Sequence, residues 1–393
     1  PTPPPLARRM HLRARMRPAE LVTTGACLYV GRRTGVALSP DAVRAAFRLF
    51  GARTLPTRAA LVVRTVASPR PALRRLQRRA VRAIVDYQAI VVAAPHLRPV
   101  LRLDFCLLLG LYQEMTGIGR QQALDSGLVD AYCHLAALMD AYDDVLDTPQ
   151  ARTHVFDESD FRRGHLATLR DRLVEVLVAH AHQSPAAASL VDELTAFERE
   201  ALRAHRSLDQ DAGLDAPLEA VVRAREATSG ELLRLAARIW NGLAGLSPEW
   251  SRTLEDAAQV FGVVAQFADD VVDWATDLGS AQNLLDAALH QYPVERCAAL
   301  RAVECRPGWS LPVSRLRRLA PRSLALLARA RACQVARYPR DPRLLPLIRF
   351  GDDAYDALLP ALPAIDFTEF DAIREQVQAA LLGLQPCDDP PVS

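Results

Sequence analysis

Two clusters of aspartate carry the residue types and spacing that could do chemistry in this 393-residue chain. The first is Asp140-Ala-Tyr142-Asp143-Asp144-Val-Leu-Asp147, which follows the apolar run from His134 to Met139. The second is Gly262-Val-Val-Ala-Gln266-Phe-Ala-Asp269-Asp270-Val-Val-Asp273-Trp-Ala-Thr-Asp277. On a helix, Asp143 and Asp147 lie one turn apart on one face, with Asp140 and Asp144 on an adjoining one. Asp269, Asp273 and Asp277 are expected to be successive i, i+4 neighbours, a carboxylate stripe about 12 Å long. Like charges so placed destabilise a helix unless something positive lies between them. Mg²⁺ does this well, because it takes one or two carboxylates, keeps several waters and completes its shell with phosphate oxygens. A lone DDxxD reads as a solvated acidic helix end. The second cluster sits on a strongly apolar stretch, Val260 to Val272, where unpaired carboxylates are costly.

The elements that must position these residues are helices. From about Pro71 onward apolar residues recur at three- and four-residue spacing. The spacing predicts helices over 72–94, 98–115, 119–147, 158–183, 186–207, 216–244, 248–281, 283–303, 312–337, 341–361 and 367–384. Pro95, Thr148-Pro149, Ser184-Pro185, Ser247-Pro248 and Pro339 punctuate them. No sustained alternation calls for a sheet, so the expected fold class is all-α. Residues 1–71 read as a basic extension or cap, 72–385 as the helical domain and 386–393 as a tail.

Composition excludes several chemistries. The formal charge of +2 conceals a split, +16 over the first hundred residues and −14 over the rest, and every basic side chain is arginine. Without lysine there is no Schiff-base enzyme, no P-loop phosphate clamp and no lysine general base. Anions must be met by arginine forks, helix N-termini or metal ions. The seven cysteines (Cys27, Cys106, Cys133, Cys297, Cys305, Cys333 and Cys387) contain no CxxC pair. They point to a reducing compartment rather than a disulfide or zinc framework. No apolar run is long enough to span a membrane, and the start lacks the apolar stretch of a secretory signal. A cytoplasmic protein is expected.

The two clusters together resemble the isoprenoid synthase superfamily of class I terpene cyclases and trans-prenyl diphosphate synthases. That family is an all-α bundle whose two aspartate-rich motifs bind about three Mg²⁺ ions and a substrate diphosphate. Asp143-Asp144-x-x-Asp147 looks like the first motif. Gly262-x-x-x-Gln266-x-x-Asp269-Asp270-x-x-Asp273 matches the prenyltransferase form of the second. Asp269, Asp273 and Asp277 also overlay the cyclase triad, with Asp in place of its Asn, Ser and Glu. The resemblance covers about 75–360 and implies that Asp143, Asp144, Asp147, Asp269, Asp273 and Asp277 serve the metals, Asp144 from behind.

Elongating members carry lysines at the second diphosphate site. Here Ala227-Thr228 stands where Lys-Thr would be, so the resemblance leans toward cyclisation. Arg223 stands 46 positions before Asp269, the spacing at which bacterial cyclases carry a diphosphate-sensing arginine, with Glu226 and Ala227 in the following positions of that pattern. Arg225 is a further candidate contact. The C-terminal Arg-Tyr pair of the family is split here between Arg349, which has the spacing, and Arg337-Tyr338, which has the identities. Arg349 is preferred. Phe105, Tyr112, Tyr142, Trp240 and Phe267 are candidates for lining an apolar cavity around a carbocation. A prenyl diphosphate is the expected partner, nucleic acid is not, and a homodimer is common in the family. Chain elongation, a head-to-head synthase, and a non-enzymatic helical protein binding nucleic acid or membrane through its Arg-rich start remain alternatives.

Overall fold

The computed structural model describes residues 71–147, 164–179, 186–207, 217–275, 278, 283–304 and 313–355. The N-terminal extension, apart from its last residue, the expected helix over 367–384 and the tail over 386–393 lie outside them. Among the described residues every regular element is a helix and no strand occurs. In chain order the helices are α1 (Pro71–Ala93), α2 (Leu103–Thr116), α3 (Arg120–Asp125), α4 (Leu128–Asp147), α5 (Gly164–Ala179), α6 (Ala186–Ser207) and α7 (Leu218–Arg225). A π-helical turn, Glu226–Gly230, leads into α8 (Glu231–Ala244), followed by α9 (Pro248–Asp273), α10 (Leu284–His290), α11 (Pro293–Glu304), α12 (Val313–Leu319), α13 (Pro321–Val335) and α14 (Leu345–Asp353). None of the described helices is long and apolar enough to cross a membrane.

Local signals account for the breaks. α8 stops at Gly245, whose φ of 65° is left-handed. α9 begins directly after Ser247, whose hydroxyl accepts from the Trp250 amide, with Pro248 in the first turn. Three expected helices are divided. The span 119–147 breaks at Gly127 (φ 71°) into α3 and α4. Pro293 separates α10 from α11, and Pro321 separates α12 from α13. Neither proline can donate the amide that a continuous helix would need.

α9 joins two cores, because its sequence carries apolar residues on two faces at helical spacing. Trp250, Leu254, Ala257, Phe261 and Val264 pack with α1, α2, α4, α5 and α8. Val263, Phe267, Val271 and Trp274 pack with α7 and α10 to α13. A third face (259, 262, 266, 269 and 273 by the same spacing) carries glutamine, glycine and aspartate.

The start of α13 is capped from α11. Glu295 accepts from the amides of Arg322 (3.0 Å) and Ser323 (2.9 Å) and from the Ser323 hydroxyl (2.8 Å). Burial pushes its carboxyl up, but the Ser323 and Arg322 donors outweigh burial and hold it below the usual carboxylate range. The stability this contributes is complete above about pH 4.5 and is lost as pH falls through the lowered folded value. Glu295→Ala is therefore expected to cost at most about 1 kcal/mol at neutral pH, since water screens the partly exposed carboxylate. The gap between the urea midpoints of variant and wild type should close in acid. A gap unchanged at about pH 3 would show that the carboxylate is not the cap.

Candidate active site

The second aspartate cluster is held by an antiparallel pairing of the α7–α8 segment against α9. Three contacts set its register. Gln259 donates to Glu231, Gly262 backs onto Ser229, and Arg225 Nη2 donates to Asp270 Oδ1 at 2.9 Å. As α9 rises from 259 to 270, its partner falls from 231 to 225. Arg223, two residues further, is thereby level with the turn that bears Asp269 and Asp273.

The close approach at the middle contact explains Gly262. A Cβ there would lie 2.3 Å from Ser229 O and 2.8 Å from its carbonyl carbon, inside any van der Waals separation. Ser229 belongs to the π turn, where the helix ladder shifts by one residue, a feature frequent at functional sites. The Thr228 hydroxyl donates to Ala224 O at 2.9 Å, supplying that carbonyl with a side-chain donor.

Adjacent aspartates play opposite parts. Asp270 is 2% exposed; it accepts from Arg225 and, through Oδ2, from the Leu284 amide at 2.6 Å. Asn283 caps α10 by accepting from the amides of Leu285 and Asp286 at 3.0 Å each, and donates to Asp270 O at 3.0 Å. Buried Asp286 accepts from the Trp274 indole at 3.1 Å and faces His290 and Arg296. Asp269, on the same turn as Asp270, is exposed.

This network corrects one expectation. α9 was expected to run to 281 and carry Asp277 in register with Asp269 and Asp273. It ends at Asp273, and Asp277 lies outside the described residues. The chain must return to Asp270 by residue 283, whereas a helix continued to 281 would have travelled about 16 Å past it. Asn283 and Asp286 were not among the expected site residues. The signal for them was an Asn before an apolar helix start with Asp three residues later, a capping pattern.

Arg223 and Arg225 are two residues apart, about 200° around a helix, so they face opposite ways. Arg225, expected as a diphosphate contact, points inward to Asp270, its side chain 14% exposed. Arg223 is exposed and opens on a cleft of about 610 Å³ between α6, the π turn, α8 and α9. Glu193, Phe197, Glu200, Glu226, Glu231, Arg234, Leu235, Arg238 and Gln259 also line it. Arg234 pairs with Glu231, and Arg238 with Glu193 and Glu255. Among the described residues, Arg223 is the cleft arginine without a carboxylate partner.

Glu226 accepts from Gln334 at 3.1 Å and from Arg337. Arg337-Tyr338 therefore lies against the helix break, with Tyr338 buried and its phenol pushed up by that burial. Arg349, the preferred C-terminal contact, is exposed on α14, while Phe350 approaches Phe261 at 6.0 Å between ring centroids. Among the described contacts, Arg337 and not Arg349 reaches the 223–227 segment.

Four of the five expected cavity aromatics, Phe105, Tyr112, Trp240 and Phe267, pack into the two cores. Trp240 meets Tyr132 at 4.6 Å and Tyr112 at 5.4 Å, and Phe105 meets Tyr132 edge-on at 6.3 Å. The Tyr112 hydroxyl donates to Asn241 at 2.9 Å, and Phe267 is fully buried beside Trp274. None of Phe105, Tyr112, Trp240 and Phe267 lines the cleft, whose aromatic wall is Phe197.

For Tyr142, Asp143, Asp144, Asp147 and Asp273 the helical backbone is described and the side chains are not. Among the described residues, no three metal-ligating side chains converge. The placement nevertheless fits a hard cation. Both clusters fall at helix C-termini, where the dipole is negative, and neither helix has a basic residue in its last turn. Each uncompensated charge there costs about 0.3–1 kcal/mol, and an all-oxygen donor set is what Mg²⁺ takes. No protein-family model and no curated protein matches this chain.

Proposed function

We propose that the chain is a class I terpene synthase. It ionises a linear allylic prenyl diphosphate, of farnesyl or geranylgeranyl length, and releases diphosphate as the hydrocarbon closes to a cyclic terpene. The observation that carries this reading is the register of the hairpin, which sets the 223–225 segment level with the Asp269–Asp273 turn of α9. A cleft guanidinium with no described carboxylate partner, two residues from the arginine that meets Asp270, suits an anion bound through metal ions.

Asp143 and Asp147 on α4, with Asp144 behind them, and Asp269 and Asp273 on α9, with Asp277 beyond its end, would hold Mg²⁺. The metal would supply Lewis-acid stabilisation of the leaving group. Arg223 offers a two-pronged fork to the phosphate oxygens as negative charge builds on them. Arg337, engaged by Glu226 and Gln334, is a second guanidinium at the same break. The cleft combines charged side chains with an apolar wall at Phe197 and Leu235, so it offers surface to the headgroup and to the start of the prenyl chain. Cys106, Cys133, Cys297 and Cys333 are free thiols, which suits a reducing cytoplasmic compartment.

The test is incubation with Mg²⁺ and geranyl, farnesyl or geranylgeranyl diphosphate, with and without isopentenyl diphosphate. A hydrocarbon or terpene alcohol from one allylic diphosphate, lost with a chelator, is the expected result. A longer diphosphate made only with isopentenyl diphosphate would mean chain elongation. No reaction, together with salt-sensitive binding to DNA or liposomes, would end the enzymatic reading.

A further inference from the structure

Arg225 is the last residue of α7 and the residue from which the π turn departs. Its guanidinium meets Asp270, whose second carboxylate oxygen accepts from the Leu284 amide and whose carbonyl accepts from Asn283. One buried carboxylate thus joins three stretches of chain: the helix break, the aspartate-bearing end of α9 and the start of α10. The outward-facing groups on either side of this joint are Arg223, two residues before Arg225, and Asp269, the neighbour of Asp270.

We infer that Arg225 is a positioning residue. Through its ion pair with Asp270 it sets where Arg223 stands relative to Asp269, and it couples movement of the helix break to the end of α9. A charge pair this buried is stiff because neither partner has much water to turn to. Cutting one back takes a buried charge partner from the other, and the surrounding backbone must relax. The arginine fork matters as well as its charge, since lysine would offer a single point contact. The catalytic consequence rests on the proposed terpene synthase reading; the joint itself does not.

The experiment uses the full chain with Arg225→Ala, Arg225→Lys, Asp270→Asn and the Arg225→Ala/Asp270→Asn double variant. Arg170→Ala is the control, because Arg170 makes a comparably buried ion pair with Glu198 on the α5–α6 hairpin. Steady-state diphosphate release and hydrogen exchange are read together. Arg225→Ala should lower kcat about 10²-fold, the effect of a displacement of about 1 Å. Arg225→Lys should recover part of that loss, and the double variant should be no worse than the worse single one. Arg170→Ala should lower the melting temperature and leave kcat intact. Exchange in Arg225→Ala should rise both at 226–230 and at 284–286. A kcat loss matched by Arg170→Ala, or effects of Arg225 and Asp270 that multiply, would overturn the inference. A loss carried by KM alone would also overturn it, by making Arg225 a direct binding contact. If wild type releases no diphosphate from any allylic substrate, the activity reading fails on its own. Exchange then decides the joint: a rise in both segments supports it, and a rise in one alone overturns it.

Discussion

Asp269→Ala should lower diphosphate release by about 10²-fold or more while leaving the melting temperature unchanged, whereas Asp270→Ala should lower the melting temperature sharply. The two residues are neighbours of identical chemistry, so the contrast isolates what the structure does with each. Asp269 is exposed on the last turns of α9 and lies outside both cores. Removing a carboxylate from a helix C-terminus relieves an unfavourable dipole interaction, so stability should hold or rise slightly. Asp270 is 2% exposed and holds both Arg225 and the Leu284 amide. Truncating it takes a charged partner from the Arg225 guanidinium and leaves the Leu284 amide without that acceptor. Breaking a buried pair this way costs about 3–5 kcal/mol, a large part of the 5–15 kcal/mol by which a typical protein is stable. Circular dichroism melts and a diphosphate-release assay on the two variants are sufficient. An active Asp269→Ala enzyme would contradict the metal assignment.

Gly262→Ala should be more damaging than any other single methyl added to a described helix glycine. The new Cβ would lie 2.3 Å from Ser229 O, a backbone atom, so no side chain can swing aside. The π turn must move away from α9, and Arg225 and Arg223 move with it. Ordinary overpacking costs about 1–3 kcal/mol, and this contact is tighter than that class implies. Gly230→Ala should be milder, because its nearest neighbours stand at 3.2–3.4 Å. Gly351→Ala, with nothing closer than 3.5 Å, should be close to neutral. Urea midpoints for the three variants should follow that order. A Gly262→Ala protein as stable as Gly351→Ala would mean that the turn does not press on α9 as described.

Much of this was legible in the residues. The all-α class followed from apolar spacing with no alternation. The α8–α9 turn was visible in Ser247-Pro248, because each has a backbone reason to stand where it does. α4 ends at Asp147, as the spacing predicts, whereas α9 ends at Asp273, short of the expected 281. The glycine of the second motif was visible as a letter at a spacing. Its reason, the π turn pressed against it, belongs to a partner segment more than thirty positions earlier in the chain. A ring at helical spacing looks the same in sequence whether it faces a cavity or a core, and Phe105, Tyr112, Trp240 and Phe267 face cores.

The sequence alone determined which chemistries are open to this protein. With no lysine and with acidic residues gathered at two helix ends, anion handling falls to arginine and to any metal the aspartates hold. It also determined where most helices start and stop, since caps, prolines and left-handed glycines act over a few residues. Only the tertiary structure decided how identical residues divide their work. Asp270 and Arg225 became a buried joint, and Asp269 and Arg223 were left facing outward. Asp277 fell beyond the end of α9, and Arg337 rather than Arg349 came to the helix break. Those outcomes depend on burial and on which distant segment packs alongside. Helical periodicity says which residues share a face, and says nothing of what that face will meet.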